Sequence, residues 1–195
     1  GYTLGHLLPS TSTIGGWLAT RGTVQISSIY GKTEDIVLSI EGVLPDGSIF
    51  RTNNAPREST GPDIDRIIIG SEGTLAVITA SELAARPIPS HRHYHAFLLP
   101  YLTSGLEAMR LLLRSEVIPS LTVFYDEIET KREIPSMKIE PGGYLLILIF
   151  EGWRERVEWE ANEAWRIVMR EGAKDLGEEP ARGWGKKQYK QTQIL

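Results

Sequence analysis

Short alternating runs separated by turns fill the first ninety or so positions, and longer apolar stretches at strand and helix spacing fill the rest. From Asp35 to Leu44, Ile36, Leu38, Ile40 and Gly42 fall on one side and Val37 and Val43 on the other, which predicts a strand. Pro45-Asp46-Gly47 predicts a turn, and Ser48 to Arg51 a returning hairpin partner. Thr60-Gly61-Pro62-Asp63 predicts the start of a short helix ending at Gly70. Pro62 would sit near its first helical position, with Asp63 and Asp65 suited to the dipole there. The β-branched run Thr74 to Thr79 predicts another strand, which ends before the linker Arg86-Pro87-Ile88-Pro89. Residues 1–35 read as turns, with Gly15-Gly16 and Tyr30-Gly31 as the clearest breaks.

Beyond the linker the pattern is that of an α+β unit. His93–Leu99 predicts a strand, and Ser104 with Glu107 a capping box for a helix carrying Leu106, Met109, Leu112 and Leu113, with Pro119 marking its end. Leu121–Tyr125 and Tyr144–Phe150 predict two more strands, the second apolar on both faces and hence buried. A long amphipathic helix follows, with Val157, Ala161, Ala164, Trp165, Val168 and Met169 on one stripe. This order is ferredoxin-like, without a clear last strand.

Composition narrows the function. The 195 residues suit one domain or two small ones, and 41% hydrophobic with 24% charged residues is ordinary for a globular protein. A net charge of −4 gives no general attraction to nucleic acid or anionic membrane. The absence of cysteine excludes disulfides, thiolate metal sites, cysteine nucleophiles and a flavin attached through cysteine in this chain. No apolar run approaches the ~20 residues of a transmembrane helix. The start, Gly1-Tyr2-Thr3-Leu4-Gly5-His6, lacks the features of a secretory signal and a Met, so a cytoplasmic location and excision from a longer protein are expected.

Gly70-Ser71-Glu72-Gly73-Thr74-Leu75 is the segment that points to chemistry. Its glycines allow positive φ and close approach of a ligand to the main chain, and a turn of this kind can offer N–H groups to an anion. Upstream lie Gly5-His6, Ser12-Thr13-Ile14-Gly15-Gly16-Trp17-Leu18-Ala19-Thr20-Arg21, Tyr30-Gly31-Lys32-Thr33-Glu34-Asp35, Leu44-Pro45-Asp46-Gly47 and Ser59-Thr60-Gly61-Pro62-Asp63. In this order and spacing the segments resemble the FAD-linked oxidase family with the vanillyl-alcohol oxidase (PCMH-type) fold, most of all its alkyldihydroxyacetonephosphate synthase branch.

The resemblance implies that residues 1–89 form the second subdomain of a PCMH-type FAD-binding domain, and residues 90–195 part of a ferredoxin-like substrate-cap domain. FAD is the implied cofactor. Its implied contacts are Pro9, Ser10, Ser12, Thr13, Gly15 and Gly16, then Thr20, Arg21, Gly22 and Thr23, then Glu72, Gly73, Thr74, Leu75, Val77 and Ile78. The backbone groups of Val77 and Ile78 are expected at the adenine. The implied reaction is oxidation of a 2-hydroxy acid such as D-lactate or glycolate, or exchange of an acyl for an alkyl group on dihydroxyacetone phosphate, so a small-molecule substrate is the expected partner. The Gly-rich pyrophosphate loop should lie upstream and the catalytic tyrosine and histidine cluster downstream, so no catalytic residue is assigned. Two departures stand out: Ala76 replaces a typical glycine, where its methyl would crowd the turn, and Val123 stands where the synthases carry arginine.

Other patterns have plainer readings. His91, His93 and His95 share one face of a strand and could bind zinc, but a polar strand edge is the expectation and no metal is assigned. Trp153, Trp159 and Trp165 are expected to pack, and Arg182, Lys186, Lys187 and Lys190 to form solvated surface. The alternative function is a catalytically inert truncated product or subunit module that needs a partner chain to complete the FAD site; a homodimer, or a partner chain supplying the missing FAD subdomain, is the expected association.

Overall fold

The computed structural model describes residues 1–5, 12–23, 26–54, 60–137 and 142–193, which fall into two compact units, 1–87 and 88–194. Pro9, Ser10 and Ser59 lie outside the described residues.

Unit 1 contains β1 (Tyr2–Thr3), α1 (Ile14–Ala19), α2 (Ser27–Tyr30), α3 (Thr33–Ile36), β2 (Val37–Val43), β3 (Ile49–Arg51), α4 (Ile64–Ile68), β4 (Val77–Leu83) and β5 (Arg86–Pro87). An antiparallel sheet of order β3-β2-β4 carries the core, in which Trp17 and Leu18 of α1, Ile36, Val37, Ile40, Ile68, Ile69 and Ala76 are buried together. The hairpin turn forms as its residues dictate: Asp46 accepts from the Ser48 N–H (2.9 Å) and hydroxyl, and Gly47 adopts φ +85°. Helix α4 starts at Ile64, later than the Pro62 expected near its first helical position. Asp63, not Pro62, sets its start by accepting from the Arg66 N–H at 3.1 Å. Residues 12–36, expected as turns, hold three short helices. Arg86–Pro87, expected as linker, pairs with Tyr2–Thr3.

Unit 2 contains β6 (His91–Leu99), α5 (Leu102–Arg114), β7 (Leu121–Tyr125), α6 (Glu127–Met137), β8 (Tyr144–Gly152), α7 (Arg154–Arg170), β9 (Lys174–Gly177) and α8 (Glu178–Gln193). The antiparallel sheet order is β7-β8-β6-β9, the ferredoxin-like order with its last strand present. Helices α5 and α7 pack their apolar faces on Phe97, Leu99, Leu146, Leu148 and Phe150. On the other face Trp184 of α8 donates to the Tyr125 hydroxyl (2.9 Å), and buried Thr130 of α6 accepts from the Leu145 N–H (3.1 Å). Helices on both sides explain why β8 is buried from Leu145 to Glu151.

Three expectations change here. Helix α5 begins at Leu102, so Ser104 is already inside it, donating to the Tyr101 carbonyl, and Glu107 pairs with Arg110 rather than with Ser104. Its buried face is Gly105, Ala108 and Leu112, leaving Leu106 and Leu113 exposed. The tryptophans at 153, 159 and 165 are exposed, because α7 turns Val157, Ala161, Ala164, Ile167 and Val168 inward instead. A side chain at Gly105 would place its Cβ 2.0 Å from the Phe124 ring. Gly105→Val should therefore destabilise the protein by about 1–3 kcal/mol in urea unfolding, and an unchanged midpoint would refute this packing account.

Candidate functional site

The site is built where the end of α1 meets the end of α4. Thr13 caps α1 by accepting from the Gly16 N–H at 3.1 Å. At its other end the Arg21 N–H donates to Leu18 (3.0 Å) and the Gly22 N–H to Trp17 (2.9 Å), the double bond pattern of a Schellman stop. Glycine usually fills the left-handed position of such a stop, yet here it is Arg21, at φ 52°. The reason lies in its side chain: the guanidinium donates to the carbonyls of Ile69 (2.8 Å) and Arg66 (3.1 Å), where α4 ends and a cation is favoured. A second non-glycine residue in that region, Glu72 at φ 51°, lies in the facing turn.

The turn is stitched to α1 by its main chain. The Gly70 N–H donates to Leu18 (3.0 Å) and the Glu72 N–H to Ala19 (2.9 Å), while Thr74 closes the turn on the Ser71 carbonyl. Thr20 to Thr23 and Glu72 to Leu75 are thus brought together. Gly15 lies against β4, where a Cβ would stand 3.0 Å from the Ile78 carbonyl oxygen, so a larger residue would push α1 off the strand. Gly22 backs onto the Trp17 ring. Thr20 spends its hydroxyl on the carbonyls of Gly16 (3.0 Å) and Trp17 (3.2 Å). Several residues expected at the cofactor therefore hold the scaffold. Thr13, Gly16, Thr20 and Arg21 do so while exposed, and Ser12, Thr23, Glu72, Gly73, Thr74, Leu75 and Val77 are exposed beside them, with the Thr23 and Thr74 hydroxyls donating to the carbonyls of Arg21 and Ser71.

Three details differ from the sequence expectation. The strand after the turn starts at Val77, not Thr74, because Thr74 and Leu75 remain in the turn. Ala76 directs its methyl into the core, 5% exposed, and so does not crowd the open edge of the turn as expected. Ser71 was overlooked between two better-marked neighbours. Its Oγ is buried without a hydrogen-bond partner, a cost a native fold tolerates where something else satisfies the group. Ile14, Leu75 and Val77 are exposed apolar residues in the same segments, and Ile49 joins Val77 in flanking Val43 on the sheet.

A hydroxyl without a partner, a glycine-flanked turn open to solvent and an apolar rim suit a large, flat, hydrogen-bonding ligand. Residues 1–53 match the family model described as an FAD binding domain, which makes FAD the cofactor for this region. The chain is 31% identical, over 97% of its length, to alkyldihydroxyacetonephosphate synthase of Dictyostelium discoideum, covering 35% of that protein. It is a homologue of the FAD-linked oxidases. A mitochondrial D-lactate dehydrogenase (cytochrome) of Arabidopsis thaliana is 34% identical over 62% of the chain and 21% of its own length. A solved alkyldihydroxyacetonephosphate synthase superposes with a TM-score of 0.84 at 30% identity over 98% of the chain and 38% of its own. The chain spans about a third of the first of these relatives and of that structure.

Elsewhere, a depression of about 360 Å³ is lined by Leu4, Tyr30, Asp35 and Arg86 among others, and one of about 490 Å³ on α7 by Trp159, Asn162, Glu163, Trp165 and Arg166. Neither includes a residue expected at the cofactor. Among the described residues no helix is long and apolar enough to cross a membrane, and no three His, Asp or Glu side chains are grouped to hold a metal. Replacing Arg21 separates its two roles. Arg21→Gly loses the strap but relieves the left-handed backbone; Arg21→Ala loses the strap and keeps the strain. Both should destabilise, with Ala worse than Gly by about 1 kcal/mol in urea unfolding; equal stabilities would contradict the reading.

Proposed function

We propose that this chain forms one wall of the flavin site of an FAD-dependent enzyme. In this reading residues 1–89 are the second FAD-binding subdomain and residues 90–195 part of the substrate cap. The observation that carries it is the joining of α1 to the 70–75 turn through Gly70, Glu72 and Arg21. The exposed hydroxyls of Ser12 and Thr23 and the open edge from Glu72 to Val77 would hold the dinucleotide, with Thr13, Gly15, Gly16, Thr20, Arg21, Gly22 and Ile78 fixing the backbone that presents them. The buried Ser71 Oγ lies beneath this edge and would gain a partner from the bound ligand. The bound flavin supplies two-electron chemistry. This chain's residues bind, orient and exclude water. The substrate classes this supports are the 2-hydroxy acids and, by likeness to the synthases, an acylated dihydroxyacetone phosphate.

The exposed Ile14, Ile49, Leu75 and Val77 favour a second reading of the same surface, in which another protein segment or chain covers it and completes the site. Sedimentation of the purified chain separates the forms of that reading: a dimer points to a second copy, a monomer to a different partner.

Titrating the chain with FAD to millimolar concentration while recording amide NMR spectra tests the primary reading. Shifts should concentrate in residues 12–23 and 70–78; their absence there, or a set confined to residues 88–194, would refute it. Ser71→Ala adds an independent arm. Removing a hydroxyl without a partner should leave stability unchanged or raise it, while weakening FAD binding several-fold. Unaltered FAD affinity would remove Ser71 from the site.

A further inference from the structure

Strand β7 bounds the sheet of unit 2 on one side and β9 bounds it on the other, and the two edges are not alike. β9 carries the charged Lys174 and Asp175, and Asp175 is engaged at 2.7 Å by His95 Nε2, by the Trp165 indole N–H and by the Gly177 N–H. Charges on an edge strand discourage further pairing. β7, Leu121-Thr122-Val123-Phe124-Tyr125, has no charge, proline or glycine, and its outer side pairs with no described strand.

Which main-chain groups of β7 face outward follows from β8. The Ser120 hydroxyl donates to the Ile149 carbonyl (2.7 Å) and the Leu145 N–H donates to the Thr130 hydroxyl (3.1 Å), so Leu145, Ile147 and Ile149 aim their main chain at the β7 side. Their partners in register are Tyr125, Val123 and Leu121. Successive residues of an antiparallel strand turn their N–H and C=O groups to opposite sides. The N–H and C=O groups of Thr122 and Phe124 therefore point to the open edge.

Beside this edge, helix α5 is apolar on two sides. Gly105, Ala108 and Leu112 form its buried face, with Gly105 against the Phe124 ring. A second stripe, Leu102, Leu106, Met109 and Leu113, runs along one flank at intervals of four, three and four residues. Leu102 is 47%, Leu106 50% and Leu113 71% exposed. Helix α7, which reaches β9 through Trp165, packs on α5 from the other flank. The exposed stripe is thus turned away from α7, toward the β7 edge.

We propose that β7 and this flank of α5 form the interface of a symmetric homodimer, in which two copies of β7 pair antiparallel and join their sheets edge to edge. The twofold axis passes between the two Val123 residues, so Thr122 exchanges main-chain hydrogen bonds with Phe124 of the partner subunit. The same axis sets the two α5 helices antiparallel. Intervals of four, three and four read alike in both directions, so Leu102 meets Leu113 of the partner subunit and Leu106 meets Met109 of the partner subunit. Glu107 and Arg110 form an ion pair along the stripe, and reversal brings each copy's acid toward the other's arginine. The two layers are compatible in spacing. Strands pair at about 4.8 Å, and α5, which touches β6 and β8 as well as Phe124, sits far enough inboard for helix axes about 8–10 Å apart. A different partner would need a strand and an apolar helix in this same arrangement; a second copy has both. The surface belongs to unit 2 and stands apart from the flavin reading.

Sedimentation velocity of the full chain at up to about 100 µM should show a concentration-dependent dimer, and a monomer throughout would overturn the proposal. Thr122→Pro removes an N–H that the monomer's sheet does not use, and Leu106→Glu charges a side chain that the monomer leaves exposed. Each should weaken the dimer about tenfold or more while the far-UV circular dichroism stays that of the parent. A dimer of unchanged affinity in both variants lies elsewhere, unit 1 included, and overturns the proposal. The chain has no cysteine, so a single introduced thiol reads the register directly. Val123→Cys should form an intermolecular disulfide on mild oxidation, its two Cα atoms meeting across the axis at about 4.5 Å. Thr122→Cys should not, because its Cα atoms stand beyond the about 7 Å that a disulfide spans. No cross-link at Val123→Cys, or equal cross-linking of the two variants, would overturn the pairing.

Discussion

A single arginine in a backbone conformation that suits glycine organises the first unit. Arg21 ends α1 with positive φ, at a cost of about 1–2 kcal/mol, and its guanidinium recovers that cost on the carbonyls that end α4. Two chain segments some fifty residues apart are thereby fixed in register. The amides of Gly70 and Glu72 then find the carbonyls of Leu18 and Ala19, and Thr33 hydrogen-bonds the carbonyl of Gly22 from the side. The open surface of the turn inherits its rigidity from these bonds, so it is shaped before any ligand arrives.

Which parts of this were legible beforehand follows from where the information resides. The buried strand β8, the hairpin at Asp46-Gly47 and the glycine-flanked turn are written in local residue types, and they were read. The three short helices of residues 12–36 were not, because glycines inside α1 look like turn residues until β4 is known to press against Gly15. Strand β9 was missed since its pairing rests on the Asp175 side chain and not on apolar alternation. Helix α6 contains Pro135 and few apolar residues, and Thr130 anchors it through hydrogen bonds that leave no periodic trace.

The candidate site shows the same division. The order of the glycine and hydroxyl segments pointed to residues 12–23 and 70–78, and the folded chain joins α1 to the 70–75 turn through main-chain bonds. The division of labour within the site was not legible: Thr13, Thr20, Arg21 and Gly22 mainly build the scaffold, with the unpartnered Ser71 hydroxyl hidden beneath. Backbone carbonyls as acceptors carry no residue signature, so the Arg21 strap emerges only from the folded chain. In unit 2, helices on both faces of the sheet make β8 the fixed element and leave β9 as the weakly held edge.

The central claim is that residues 12–23 and 70–78 face one dinucleotide. Photolabelling the chain with 8-azido-FAD, followed by peptide mass spectrometry, reads it most directly. Adducts competed away by FAD on peptides from both segments are the predicted result. Adducts on one segment alone, or only within residues 88–194, would contradict it.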